Sequence, residues 1–237
     1  MLTDEVAAPE LIDAYRRLLH ADERARHDRF LVEHVRHEHL CTRALVRTCL
    51  SRYVDVVPDA WTFELNRWGR PEIRAPEHAR WLRFNLSNTR GVVACAVTRD
   101  VDIGVDVEFV ERRTNPIEIA DRFFSETEVR ALHGLEGDRA QRERFFAYWT
   151  LKESYIKARG MGLAIPLGDF SFHLDDEDQP PDRARISFAP TLIDEPESWH
   201  FWRAELTPTH RIAAAVRRSG QTDVRIDLRR VIPLRDR

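Results

Sequence analysis

The chain has little cysteine and no long apolar run. Cys41, Cys49 and Cys95 are few and odd in number for 237 residues, which argues against a disulfide framework and for a reducing compartment. No segment approaches the roughly 20 apolar residues that a membrane span needs. The first residues, MLTDEVAAPELIDAYRR, lack the apolar core of a signal peptide. These absences predict a soluble cytoplasmic protein with no membrane partner.

The sequence also lacks the usual local signatures of anion and nucleophile chemistry. Arginines are interspersed with acids at a formal net charge of −3, so no basic stripe indicates a nucleic-acid partner. There is no glycine-rich phosphate loop, so a phosphate site must consist of side chains and a metal. His34, His37 and His39 near Cys41 point in different directions on a helix, which disfavours zinc. Ser154 has no visible histidine–acid partner, so a hydrolase triad is unsupported.

The periodicity that is present predicts alternating helices and strands. Helices are expected over 8–20, 22–50 and 139–159, with a capping box between Ser125 and Glu128. Strands are expected over 61–68, 81–87, 92–97, 101–110, 169–174, 183–189, 199–206, 211–217 and 223–228. The segments from 81 to 110 read as a three-stranded meander.

This order of elements predicts an α+β protein of two similar halves. Each half is expected to pair a long helix with an antiparallel sheet. We place the N-terminal half at 1–109 and the C-terminal half at 110–237, a size that suits two small domains. The last strands could pack back on the N-terminal half. No residue-level repeat accompanies this coarse repetition.

The most specific local feature is the segment IGVDVE at 103–108. In a strand, alternate side chains share a face, so the aliphatic residues point to a core and Asp106 and Glu108 share the other face. Gly104 lies on the acidic face, where its lack of a side chain would let a ligand approach. Two carboxylates so placed suit Mg²⁺, which takes one or two carboxylates and completes its shell with phosphate and water. The alternative is a solvated strand face.

A second feature is the helical segment FFAYWTLKESYIK at 145–157. Phe145, Phe146, Trp149 and Ile156 form an apolar stripe, since helical residues recur on one face at about 100° per residue. Glu153 lies at the border of that stripe, and Lys157 follows one turn later. The lysine could neutralise phosphate oxygens. The alternative is an ordinary helix pair worth about 0.2–0.5 kcal/mol.

Taken in order, these segments resemble the surfactin-synthetase-activating type of 4′-phosphopantetheinyl transferase. The resemblance spans nearly the whole chain. It rests on GRP at 69–71, FNLSN at 84–88, IGVDVE at 103–108, RFFSETE at 122–128 and WTLKESYIK at 149–157. The last of these matches the family's W-x-x-K-E-x-x-x-K signature.

The resemblance implies a monomer of two pseudo-symmetric halves with coenzyme A in the cleft between them. Asp106, Glu108 and Glu153 would be the magnesium ligands, and Glu153, Lys157 and Glu108 would carry the catalysis. The residues implied in contacts with coenzyme A are Arg26, Arg70, Ser87, Asn88 and Lys157. Position 88 departs from the family, which most often has histidine there. Asparagine can donate a hydrogen bond but cannot carry a positive charge.

The implied reaction moves the phosphopantetheine arm of coenzyme A to a serine of an apo carrier protein and releases 3′,5′-ADP. The general base stays open among Glu153, Glu108 and a water. Carrier domains of fatty-acid, polyketide or nonribosomal-peptide synthases are the implied partners, often in secondary metabolism. Arginines near Phe123 and Phe124 are candidates for docking the carrier's acidic helix; they are Arg112, Arg113 and Arg122. The alternative at this position is a core phenylalanine pair with ordinary surface arginines. The alternative is a non-catalytic coenzyme A or nucleotide-binding protein of the same fold.

Overall fold

A computed structural model of the protein describes residues 1–174, 180, 183–218, 220 and 223–236. The chain divides into two compact units. The first comprises Met1–Asp100 together with Asp227–Arg237, and the second comprises Val101–Ile226. This division starts the second unit before residue 110, because the strand that begins at Ile103 pairs with a strand late in the chain.

The first unit contains three helices and four strands among its described residues. The helices are α1 (Pro9–Leu18), α2 (Ala21–Asp28) and α3 (Glu33–Leu50), and the strands are β1 (Thr62–Leu65), β2 (Pro71–Ala75), β3 (Leu82–Thr89) and β4 (Val92–Arg99). β1 pairs with β2, and β3 with β4, both antiparallel. The terminal segment joins this unit, where the Tyr15 hydroxyl donates to the Pro233 carbonyl at 3.0 Å.

The predicted helix over 22–50 is wrong as a single element, because α2 ends at Asp28 and α3 begins at Glu33. The break lets the chain turn, so that the rings of His27 and His39 lie 5.8 Å apart. In one continuous helix, residues twelve positions apart would lie about 18 Å apart along the axis. The helix predicted over 8–20 is confirmed as α1.

The second unit contains three helices and five strands in the part of the chain that the structure describes. The strands are β5 (Ile103–Phe109), β6 (Phe170–His173), β7 (Arg185–Phe188), β8 (Trp199–Thr207) and β9 (His210–Arg217), and the helices are α4 (Pro116–Phe123), α5 (Glu126–His133) and α6 (Asp138–Arg159). β5, β9 and β8 form one antiparallel sheet in that order, and β6 pairs with β7. α6 packs against β5 and β9.

The predicted meander over 81–110 is wrong in its third strand, since β5 pairs with β9 rather than with β4. In the observed register Gly104 faces Ala215 and Asp106 faces Ala213. Small residues at these positions leave room for the backbone of α6 to lie close to the sheet.

The predicted strand at 223–228 is also absent, and these residues form no regular element. Its alternation has no buried apolar face, because residues 223–228 are exposed or half-buried. The capping box is confirmed, with Ser125 and Glu128 exchanging side-chain and backbone hydrogen bonds. The helix predicted over 139–159 is confirmed as α6 and ends at Gly160, whose left-handed φ of 63° suits glycine.

The fold is thus a mixture of helices and antiparallel sheets. In each unit, taken alone, an antiparallel sheet packs on the longest helix, which is α3 in the first unit and α6 in the second. The predicted pseudo-symmetry and the predicted coenzyme A cleft stay predictions. No helix within the described residues combines the length and the hydropathy needed to cross a bilayer.

Candidate active site

Gly104 brings the backbones of β5 and α6 into direct contact. A Cβ atom at this position would lie 2.0 Å from the Ser154 carbonyl oxygen and 2.4 Å from the Ala158 nitrogen. The bare face of Gly104 therefore receives the helix, and the expectation that it leaves room for a ligand is wrong. The contact has a different consequence, since it sets Glu153 and Lys157 of α6 beside the acids of β5.

Asp106 forms an ion pair with Lys157 across this contact. The Lys157 Nζ atom donates to Asp106 Oδ1 at 2.7 Å. The Asp106 side chain is buried, while about a quarter of the Lys157 side chain is exposed. Residues 51 positions apart thus meet, and the lysine retains access to solvent.

Glu108 is held at both carboxylate oxygens. Trp149 Nε1 donates to Oε1 at 2.9 Å, and Arg112 Nη1 donates to Oε2 at 2.9 Å. Burial, and then repulsion from Asp106, raises the pKa of Glu108 to about 7. Neither Trp149 nor Arg112 was a predicted site residue. The Trp149 contact could have been sought because Trp149 opens the segment at 149–157 that matches the family signature.

Glu153 lies in the same negative field. Its pKa is raised first by burial and then by the charge of Asp106, against the opposing effects of Lys157 and Arg112. The described residues contain no ready-made cluster of three or more histidine, cysteine or acidic side chains that could hold a metal ion. The charge of Asp106 thus acts on both Glu108 and Glu153.

Lys152, the first lysine of the signature segment, has a structural role. Its ammonium is fully buried and pairs with Glu128 Oε2 at 2.7 Å. It also donates to the carbonyls of Leu167 at 2.7 Å and Phe170 at 2.6 Å, so all three of its donors are used. Because Lys152 and Glu153 are neighbours on α6, this anchor fixes the direction in which Glu153 points.

The residues that the resemblance assigns to coenzyme A lie in the first unit, apart from Lys157. Arg70 follows the turn at Gly69 and donates through Nη2 to Glu72 at 2.9 Å. Ser87 is buried and Asn88 is exposed. Successive residues of a strand face opposite sides, and both positions lie within β3, so the strand does not present both side chains to one surface.

Arg26 lies beside a cluster of histidine and arginine side chains on α2 and α3. In the part of the chain that the structure describes, His27 Nδ1, both ring nitrogens of His39, Arg43 Nε and Arg47 Nε and Nη1 are buried without a hydrogen-bond partner. Burial, followed by the charges of Arg43 and Arg26, lowers the pKa of His39 to about 4. Sequence analysis identified Arg26 here but not its histidine and arginine neighbours.

The predicted docking residues have different surroundings. Arg112 pairs with Glu108 while about a third of its side chain stays exposed. Phe124 is buried and stacks on Phe145, so its predicted exposure is wrong and it follows the core alternative. Phe123 is 46% exposed, and the Arg122 guanidinium lies 5.2 Å from the centre of its ring. The exposed Phe123 ring, with Arg122 beside it, therefore remains accessible for contact with a partner.

Comparison with known proteins identifies the family of the chain. The 4′-phosphopantetheinyl transferase superfamily matches residues 102–216. The 4′-phosphopantetheinyl transferase HetI of a Nostoc species is 32% identical over 202 residues, covering 85% of this chain and 79% of the relative. The 4′-phosphopantetheinyl transferase Sfp of Bacillus subtilis is 33% identical over 178 residues, covering 74% of this chain and 75% of the relative.

The chain therefore belongs to the 4′-phosphopantetheinyl transferase superfamily, and the resemblance to the surfactin-synthetase-activating type is confirmed. Among solved structures, the holo-[acyl-carrier-protein] synthase of Thermotoga maritima matches with 23% identity and a TM-score of 0.38. That match covers 49% of this chain and 62% of the other.

Proposed function

We propose that this protein transfers the 4′-phosphopantetheine group of coenzyme A to a serine hydroxyl of an apo carrier protein, with Mg²⁺ as cofactor and 3′,5′-ADP as the second product. The observation that carries the proposal is the meeting of the β5 acids with α6. Lys157 contacts Asp106 at 2.7 Å, and burial, followed by the charge of Asp106, raises the pKa of both Glu108 and Glu153. Family membership supplies the reaction class.

The donor set fits a magnesium ion. Asp106, Glu108 and Glu153 offer carboxylate oxygens, the ligands that Mg²⁺ prefers. Burial, and then the charge of Asp106, raises the pKa of Glu108 and of Glu153, so a cation that offsets this charge would be favoured there. Mg²⁺ needs only one or two carboxylates when phosphate and water complete its shell, so a closed cage is not required. When bound, it would neutralise charge on the pyrophosphate.

The reaction mainly requires alignment of the reacting groups and neutralisation of phosphate charge. The carrier serine oxygen bonds to the β-phosphorus of coenzyme A, and the bond from that phosphorus to the oxygen bridging to 3′,5′-ADP breaks. We assign Lys157 to the phosphate oxygens, because its ammonium combines partial exposure with a position beside Asp106. The serine proton goes to Glu108, to Glu153 or to a water that either holds.

We also propose that Arg26, Arg70, Ser87 and Asn88 contact coenzyme A. The arginines beside Arg26 support a nucleotide phosphate there, since the buried Arg43 Nε and Arg47 Nε and Nη1 donors have no partner and an anion would satisfy them. Asn88 is exposed and can donate a hydrogen bond without adding charge.

For the carrier, we propose docking at Arg113, Arg122 and Phe123. Arg113 and Phe123 are exposed, and Arg122 lies against the Phe123 ring. Cationic side chains beside an exposed aromatic ring suit an acidic helix. Carrier domains of fatty-acid, polyketide or nonribosomal-peptide synthases would present such a helix.

Intact-mass spectrometry of an apo carrier, incubated with the protein, coenzyme A and Mg²⁺, tests the proposal. We expect the carrier to gain the mass of one phosphopantetheine. Asp106→Asn should abolish the gain, because Lys157 and the cation lose their shared carboxylate, while Glu143→Gln on the exposed side of α6 should not. Protection against thermal unfolding by coenzyme A without any carrier modification would instead support the non-catalytic binding protein.

A further inference from the structure

Glu108 differs from the other site acids in how it is held. Its two oxygens accept hydrogen bonds from two elements, Trp149 of α6 at 2.9 Å and Arg112 of the loop after β5 at 2.9 Å. Two hydrogen bonds on separate oxygens leave the carboxylate little freedom to rotate. A carboxylate expected to bind a cation thus has a fixed direction before the cation arrives.

Arg112 is itself fixed. Its guanidinium lies 5.2 Å from the ring centre of Phe146 and 5.6 Å from that of Trp149. The loop that carries it is fastened by Arg142, which donates to the carbonyls of residues 110, 112 and 114 at 2.9, 3.1 and 3.0 Å. The contact between Arg112 and Glu108 is therefore part of a braced unit, unlike an exposed ion pair between two mobile side chains.

We propose that Arg112 is a positioning residue, which holds the Glu108 carboxylate in the direction required for divalent-cation binding. The inference rests on the proposed function, since it presumes that Glu108 is a metal ligand. Hydrogen-bond partners of metal-binding side chains orient those ligands, and their loss typically costs about 10–100-fold in metal affinity or activity. Arg112 thereby belongs to the site through Glu108, and carrier docking is not its role.

The test measures Mn²⁺ binding by electron paramagnetic resonance, with the full chain and without coenzyme A. Arg112→Met keeps an unbranched chain over the aromatic rings but removes the donor. Arg112→Lys keeps the charge but loses the planar fork. The matched control is Arg139→Met, since Arg139 also pairs with a glutamate, Glu143, but on an exposed face of the same unit.

We expect Arg112→Met to weaken Mn²⁺ binding about tenfold or more and to lower the kcat of transfer with little change in the KM for coenzyme A. Arg112→Lys should weaken binding by a smaller factor, and it decides the question if the methionine variant does not fold. Arg139→Met should match the unmodified protein in both assays.

The opposite result has a definite meaning. If Arg112 is only a competing counter-ion, its removal takes away a repelling positive charge, and Mn²⁺ binds as tightly or more tightly. That outcome, in a protein that still transfers phosphopantetheine, overturns the inference alone. If the unmodified protein neither binds Mn²⁺ nor transfers the group, the proposed function and the inference fail together.

Discussion

The buried pair of Lys152 and Glu128 offers a sharp test of what orients α6. We consider Lys152→Met, which fills similar space without a charge. The Lys152 ammonium has three partners, namely Glu128 Oε2 at 2.7 Å and the carbonyls of Leu167 and Phe170. The substitution leaves those two carbonyls without this donor. It also leaves a carboxylate that is fully buried.

The expected cost follows from what Glu128 retains. Its oxygens still accept from the Ser125 backbone at 3.3 Å, the Ser125 hydroxyl at 3.0 Å and the Phe172 backbone at 2.9 Å. Breaking a buried pair by removing one partner typically costs about 3–5 kcal/mol. Because three neutral donors remain, we expect Lys152→Met to lie near the lower end, at roughly 3 kcal/mol. A loss of this size corresponds to a fall in Tm on the order of 10 °C.

Equilibrium unfolding in urea, followed by circular dichroism, measures this loss. The companion variant Glu128→Gln should be destabilised comparably, since it leaves the Lys152 charge with carbonyl dipoles and aromatic rings but no carboxylate. The double variant should lose less than the sum of the two single losses, because no isolated charge then remains buried. A single-variant loss below about 1 kcal/mol, or strict additivity, would refute the view that this pair anchors α6.

Three further predictions concern other contacts. Gly104→Ala should abolish transfer and lower the urea midpoint, because its Cβ would meet backbone atoms of α6 at 2.0 and 2.4 Å; a fully active, stable variant would contradict the close approach. His39→Phe should make the free energy of unfolding depend less on pH in the acid range. The pKa of His39 is lowered from 6.5 to about 4 by burial and then by nearby arginines, so the unfolded chain binds a proton between these values that the folded chain does not. The free energy of unfolding of the unmodified protein should therefore fall from pH 7 to pH 5. In the variant this fall should be smaller by about 1–2 kcal/mol, as measured by urea unfolding. Arg122→Glu should raise the KM for the carrier severalfold in steady-state assays without changing the KM for coenzyme A, and an unchanged carrier KM would remove Arg122 from the docking surface.

Local periodicity predicted the elements that carry the site. The alternation of residues 103–108 predicted a strand with Asp106 and Glu108 on one face, and the structure has β5 over Ile103–Phe109. The helical spacing after residue 138 predicted α6, and the serine–glutamate spacing predicted the capping box. These features depend on contacts between residues near one another in sequence.

The periodicity of the sequence does not predict contacts between residues that are far apart along the chain. The pairing of β5 with β9 joins positions as far apart as Ile103 and Val216, and no local pattern specifies that partner. The same limit explains the error at Gly104, because alternation tells which residues share a face but not which element covers it. Lys152 and Arg112 carry charges that sequence patterns place at the surface by default. The roles of Lys152 and Arg112 follow from the acids and aromatic rings that surround them in the structure.

The close approach at Gly104 has a consequence for how this site tolerates change. Most helices rest on sheets through side chains, and the spacing between the two then shifts whenever a core residue is exchanged. Here main-chain atoms of the strand and helix touch directly, so the gap is set by atoms common to every amino acid. Substitutions elsewhere in the core of this unit can accumulate while the acids and the lysine keep their mutual distances.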